Sequence, residues 1–115
     1  FSRIHVQDIA TAVFASMQAC TATPAQADVF NVCDDFSCAP GDVIAYACTL
    51  LNHPIPEPVS MDEAGLSAMG RSFYADNKRV SNQKLKDVFG WNPAFPTYRE
   101  GLDSIFSSPG FSEAD

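Results

Sequence analysis

RIHVQDIA, residues 3–10, is the stretch on which the fold turns. Arg3 and His5 alternate with Ile4 and Val6, so an extended backbone puts the polar pair on one face and the apolar pair on the other. That alternation predicts a strand over residues 1–6. Asp8 stands where a carboxylate accepts from the exposed amides of a helix start. It predicts a cap, followed by a helix with Ile9, Val13, Met17 and Cys20 along one face.

The same rhythm continues along the chain. Thr23, Pro24 and Ala25 open a loop, and VFNVCDD, residues 29–35, reads as a second strand that Asp34 and Asp35 end. Pro40 suits a helix start, with Val43, Ile44, Ala47, Leu50 and Leu51 as the apolar face and an end near Asn52. Pro54, Pro56 and Pro58 hold the next passage extended. Ser60 and Glu63 have capping-box spacing, which predicts a short helix through Met69. Ser81 is positioned to cap a further helix with Leu85, Val88 and Phe89 inward and Gly90 past its end. Thr97 and Glu100 form a second capping box before a last helix carrying Tyr98, Leu102, Ile105 and Phe106. Trp91, Phe95, Tyr98 and Phe106 fall where the domain closes on itself and read as core. The organisation is one domain over residues 1–107 and a flexible tail over 108–115.

A chain of 115 residues with 46% hydrophobic content can build one core. Its formal charge of −7, with only seven Lys and Arg, argues against nucleic acid and acidic membrane surfaces as partners. No apolar run approaches the ~20 residues of a membrane span, and the opening lacks a signal-peptide pattern, so the expected compartment is the cytoplasm. Cys20, Cys33, Cys38 and Cys48 would allow two bridges in a secreted chain. Their placement on helical and strand patterns favours buried free thiols instead, and their spacing lacks the close pairs of a zinc site. No GxGxxG occurs among the glycines, so no dinucleotide fingerprint is present and no cofactor is expected on this chain by itself.

RIHVQDIA, VFNVCDD and KRVSNQKLKDVFGWNPAFPTYREGL (residues 78–102) together resemble, in order and spacing, the C-terminal portion of the NAD-dependent epimerase/dehydratase family, the extended short-chain dehydrogenase/reductases. The first is similar to that family's IHVxD stretch, the second to its YNVGxG-type strand and loop, the third to its closing helix, GWxP turn and last helix. The resemblance implies an α/β fold: a small mixed α/β substrate domain, lacking the N-terminal Rossmann half. It implies a parent enzyme that holds NAD or NADP in that half and oxidises, reduces, epimerises or dehydrates a sugar-like small-molecule substrate. The missing Rossmann half is then a partner, and apolar surface meant for it leads the chain alone to self-associate. The alternative is a stand-alone, non-catalytic binding or oligomerisation module descended from such an enzyme.

Candidate substrate-binding residues are Arg3, His5, Arg71, Tyr74 and Lys78; none is assigned a catalytic role. Counting back from Gly90 and Trp91, Arg71 falls where the family's nucleotide-sugar epimerases carry the arginine of an RxGD element that grips a diphosphate. Its planar guanidinium suits two anionic oxygens at once. Phe73 and Tyr74 replace the glycine and aspartate of that element. The alternative for Arg71 is a solvated surface position. Tyr74 and Lys78 match YxxxK, the family's catalytic pair, but lie downstream of the IHVxD stretch where the family has the pair upstream. Arg3 and His5 share the polar face of the opening strand, where His5 either reaches substrate or hydrogen-bonds nearby backbone. Lys78 and Arg79 add local positive charge, as a cationic pocket or a solvated face.

Overall fold

The computed structural model describes residues 1–22 and 28–110. The loop expected at Thr23, Pro24 and Ala25, and the part of the expected tail beyond residue 110, lie outside the described residues. Among the described residues the regular elements are five helices: α1 (Val6–Ala22), α2 (Pro40–Leu50), α3 (Ala68–Ala75), α4 (Gln83–Phe89) and α5 (Tyr98–Phe106).

No strand forms among the described residues, which corrects the expected mixed α/β domain. The two alternating stretches are extended, and they touch: Asp34 N donates to Arg3 O at 2.6 Å, Phe1 N to Cys38 O at 2.9 Å and Cys38 N to Phe1 O at 3.3 Å. A sheet needs successive rungs. Here the donors in between are taken elsewhere, Asp35 N by Pro96 O at 2.9 Å and Phe36 N by the Asp34 carboxylate at 3.2 Å. Side chains likewise take up the backbone of the second stretch. Asp28 Oδ1 accepts from Val29 N, Lys84 Nζ donates to Val29 O, and Asn82 Nδ2 donates to Cys33 O at 2.8 Å.

Asp8 is not a cap. Helix α1 begins at Val6, with Asp8 N and Ile9 N both donating to His5 O. The Asp8 side chain, 0% exposed, accepts instead from Ala94 N at 2.7 Å and Phe95 N at 3.0 Å, amides of the turn between α4 and α5. One turn further along α1, Thr11 Oγ1 accepts from the Trp91 indole Nε1 at 2.9 Å. Positions 8, 11 and 12 share one stripe of a helix. Ala12 is small enough for Trp91 and Leu85 to close over it, and Ile4, Phe30 and Phe89 complete this core. The stripe buried is therefore the one that meets the turn. Ile9, Val13 and Met17, expected inward, are 44–62% exposed.

The C-terminal elements follow their local signals. Gly90 ends α4 at φ 64°, a left-handed conformation that a Cβ would strain, and its N–H donates to Lys86 O at 2.8 Å. That reversal delivers Trp91 into the core. The cap position of α4 is Asn82 and not the expected Ser81; Asn82 makes no side-chain cap bond, while Ser81 Oγ, one residue earlier, accepts from Gln83 N at 3.2 Å. Of the expected inward trio, Leu85 is buried and Val88 is 57% exposed. Thr97 and Glu100 form the expected capping box on α5: Thr97 N and Thr97 Oγ1 both donate to the Glu100 carboxylate. Helix α5 packs on α2, where Tyr46 donates its hydroxyl to Asp103 at 2.8 Å and meets Tyr98 edge to face.

The Ser60–Glu63 box closes a turn rather than a helix. Its members bond each other, but α3 starts five residues later, where Ser67 Oγ accepts from Gly70 N at 3.2 Å.

The buried core is small for this chain length. Its Cα radius of gyration is 17.7 Å, against about 13 Å for a compact domain of this length. The accessible surface of 8533 Å² exceeds by roughly 2,400 Å² that of a folded monomer of this size. Much of the excess is apolar, including Val6, Ile9, Val13, Phe14 and Met17 on α1.

Replacing Asp8 by Ala strips two amides of a charged acceptor and should cost about 3 kcal/mol of stability, with Asp8→Asn, which keeps one acceptor oxygen, losing about half as much. Urea denaturation checks this. A loss below about 0.5 kcal/mol, the range of ordinary surface changes, would contradict the anchoring role.

Candidate functional site

The turn pinned by Asp8 forms one wall of a cleft whose other wall is the extended N-terminal segment. Arg3, Ile4, His5, Asp34, Val43, Phe95, Thr97, Tyr98, Gly101, Leu102 and Ile105 line it, around a cavity of about 130 Å³. Arg3 and His5 both line this cleft, but so does Ile4, which the expected strand alternation puts on the opposite face and which also packs on the core.

His5 is held on three sides. Its ring lies 3.9 Å from that of Phe95, centre to centre, and a Cβ on Gly101 would come within 3.4 Å of its Cδ2. Nδ1 accepts from Gln7 N at 3.3 Å, so in the neutral ring the proton belongs on Nε2. Arg3 is less available. Its Nη1 donates to Phe1 O at 3.2 Å, to Cys38 O at 3.3 Å and to Cys38 Sγ at 3.2 Å. It thereby ties the N-terminal segment to the chain entering α2.

Asp34 enters the cleft without having been singled out from sequence, where it reads only as a strand end. It is 7% exposed, and burial pushes its carboxyl above the usual aspartate range, against the pull of the Phe36 amide and the Arg3 charge. Neighbouring Asp35 goes the other way. Its partial burial raises it, but Lys86 at 2.8 Å and Asn82 Nδ2 at 2.7 Å outweigh this and leave it lowered. Burial, then the charges of Asp34 and Asp35, push the Cys33 thiol up. All four cysteines are free; of the four expected to be buried, only Cys33 is, while Cys38 and Cys48 are half-buried and Cys20 is exposed. Among the described residues no cluster of His, Cys, Asp and Glu could hold a metal ion.

A cavity of this volume holds roughly four water molecules and lies below the roughly 300–1,000 Å³ of whole-ligand sites. Its lining surface is overwhelmingly apolar, so it can take a small apolar fragment, with His5 and the Asp34 carboxyl, which retains its proton to higher pH than usual, among the lining residues. The remaining candidates lie elsewhere. Arg71 Nη1 is bound to Asp62 Oδ1 at 2.9 Å, and Lys78 Nζ to Asp76 Oδ2 at 2.7 Å. Tyr74 lies in α3 against Phe1 and Phe73, whereas Lys78 lies past the end of that helix. The YxxxK spacing therefore does not set the two on one helical face. Tyr74 lines a cavity of about 370 Å³ and Lys78 one of about 320 Å³, both bordered by Phe1 and Asp76.

No protein-family model and no curated protein matches the chain. Among solved structures it is similar to a functionally unknown conserved protein from Silicibacter pomeroyi DSS, with 47% sequence identity and a TM-score of 0.83. The match covers 92% of this chain and 37% of that one, so the chain spans little more than a third of the relative's length.

Asp34 and Asp35 should respond oppositely to neutralisation. A carboxyl whose pKa is raised by folding opposes the folded state once it ionises, above the usual aspartate range. One whose pKa is lowered supports the folded state there and loses that support as pH falls through its folded value. At neutral pH Asp34→Asn should therefore raise the melting temperature and Asp35→Asn lower it, with both differences shrinking at pH values below the aspartate range. Thermal melts across pH check the signs.

Proposed function

We propose that this chain is the substrate-holding portion of a cytoplasmic NAD(P)-dependent enzyme of the epimerase/dehydratase type. The observation that carries the reading is how the three resembling stretches bind one another. RIHVQDIA reaches the closing stretch through Asp8 to Ala94 and Phe95. VFNVCDD reaches it through Cys33 O and Asp35 to Asn82, through Asp35 to Lys86, and through Asp35 N to Pro96 O. These bonds support reading the three stretches as one structural unit.

In this reading a dinucleotide-binding half supplies NAD or NADP and this chain supplies the cleft at His5 and Asp34. The His5 Nε2–H donates to a substrate hydroxyl, and the Asp34 carboxyl holds or accepts a proton beside it. The enzyme acts on one hydroxyl of a sugar-like molecule, because the cleft accommodates a fragment and not a whole nucleotide sugar. The excess apolar surface of α1 is where the dinucleotide-binding half packs. Left bare, that surface drives copies of this chain together, since a patch of this extent is rare on a soluble monomer. Among the described residues no helix is long and apolar enough to cross a membrane.

The reading is tested on the encoded protein. Its reading frame should continue upstream of Phe1 into a glycine-rich phosphate loop and a Tyr/Lys pair, and the purified product should change NADH or NADPH absorbance with a polyol or sugar substrate. A frame without that loop would overturn it. The chain by itself should give no saturable heat on titration with NAD or NADP, for want of a phosphate-cradling loop. Light scattering over a dilution series should show a mass above the monomer that falls on dilution; a monomer mass throughout would contradict the role given to the α1 surface.

A further inference from the structure

The sequence holds seven Lys and Arg, and six of them are engaged. Arg71, Lys78, Lys84 and Lys86 are each bound to an aspartate. Arg3 donates to backbone carbonyls, and Arg99 reaches the Tyr98 hydroxyl and lies over the Tyr46 ring. The seventh, Arg79, has no hydrogen bond, ion pair or ring contact among the described residues. Arg79 is exposed, so in a chain with a formal charge of −7 its guanidinium is free to pair with an anion.

Its surroundings have the shape of a ligand site. Arg79 lines the cavity of about 370 Å³ together with Phe1, Cys38, Tyr74, Asp76 and Asn77. The volume falls within the roughly 300–1,000 Å³ of small-molecule pockets. Phe1 and Tyr74 stand edge to face at 6.0 Å, and Phe73 stacks on Phe1 from a neighbouring position at 5.3 Å, so the aromatic wall is already packed. The Asn77 amide and Tyr74 hydroxyl are further polar groups on the lining. Asp76, which would repel an anion, has its charge met by Lys78 at 2.7 Å.

We infer that this cavity binds the carboxylate of a small, ring-bearing or otherwise apolar molecule, with Arg79 as the anion-holding residue. A carboxylate matches the fork of one guanidinium with two parallel hydrogen bonds and one unit of charge. A phosphate carries more charge than one cation compensates, in a chain already strongly acidic. The aromatic wall takes the apolar body. The site differs from the cleft at His5 and does not depend on dinucleotide chemistry. It also moves the anion-holding role from Arg71, whose partner is Asp62, to a residue eight positions on.

The test is an NMR titration of the isotope-labelled chain with phenylacetate. The amides of Cys38, Tyr74 and Asn77 should shift together and saturate. Arg79→Ala should weaken binding about tenfold or more, Arg79→Lys less, and Arg71→Ala not at all. Because Arg79 is exposed and makes no hydrogen bond, ion pair or ring contact among the described residues, the Ala variant should melt with the wild type. Phenylacetamide, of nearly the same shape but neutral, gives the same comparison without a mutation and should bind about tenfold or more weakly. Shifts that do not saturate, equal binding of acid and amide, or inorganic phosphate binding more tightly than phenylacetate would overturn the inference.

Discussion

Two hydrogen bonds to the Asp8 carboxylate hold this structure together. Asp8 is fully buried, and its partners are the backbone amides of Ala94 and Phe95, more than eighty residues along the chain. A buried carboxylate without donors is costly, so the turn after α4 must stay on α1 for the helix to exist in this position. The rest of the site depends on that docking. Trp91 then reaches Thr11 and covers Ala12, Phe95 comes under the His5 ring, and Pro96 meets the Asp35 amide. Helix α5 starts directly afterwards, on the Thr97 box, and completes the cleft.

What that anchor organises is small. Among the described residues the buried apolar ones are Ala12, Cys33, Leu85 and Trp91, while large apolar side chains on α1 and α2 remain in solvent. Polar ties carry an unusual share of the long-range connections: Asp8 to the turn, Asn82 to Cys33 O and Asp35, Lys84 to Asp28, Tyr46 to Asp103. Surface pairs such as Lys84–Asp28 contribute little by themselves. A chain built this way is marginal until its apolar faces are covered, and the surface in excess of a compact monomer is as large as one side of an obligate interface. The proposed dinucleotide-binding half and a second copy would answer the same physical need.

Local chemistry made the C-terminal part legible. Gly90 and the Thr97–Glu100 box are signals complete within a few residues, and α4 and α5 follow them. Pro40 likewise starts α2. Readings that required a distant partner were less secure. The alternation of Arg3–Val6 does not separate the residues by face, since Ile4 lines the same cleft as Arg3 and His5, and pairing of strands depends on where Asp35 N and Phe36 N find acceptors, which are Pro96 O and the Asp34 side chain. An aspartate at a helix start is read as a cap because that role is local; its bond to residues 94 and 95 has no local signature. The same holds for α1, whose larger apolar stripe looked inward although its smaller stripe carries the docking. Arg71 looked poised for an anion, and only the fold brings Asp62 to it. The Asp34–Asp35 doublet was the available signal for the buried carboxyl, since one of two adjacent acids on an extended backbone faces inward.

The proposed enzyme role and the cleft at His5 both require the turn at residues 94 and 95 to be fixed in solution. Amide hydrogen exchange measures that directly. If Asp8 holds the turn, the Ala94 and Phe95 amides exchange as slowly as the central amides of α1, and far more slowly than those of the solvated passage around Pro54 and Pro58. Exchange of Ala94 and Phe95 at the rate of that passage would mean that the turn is loose and the cleft it walls is not preformed.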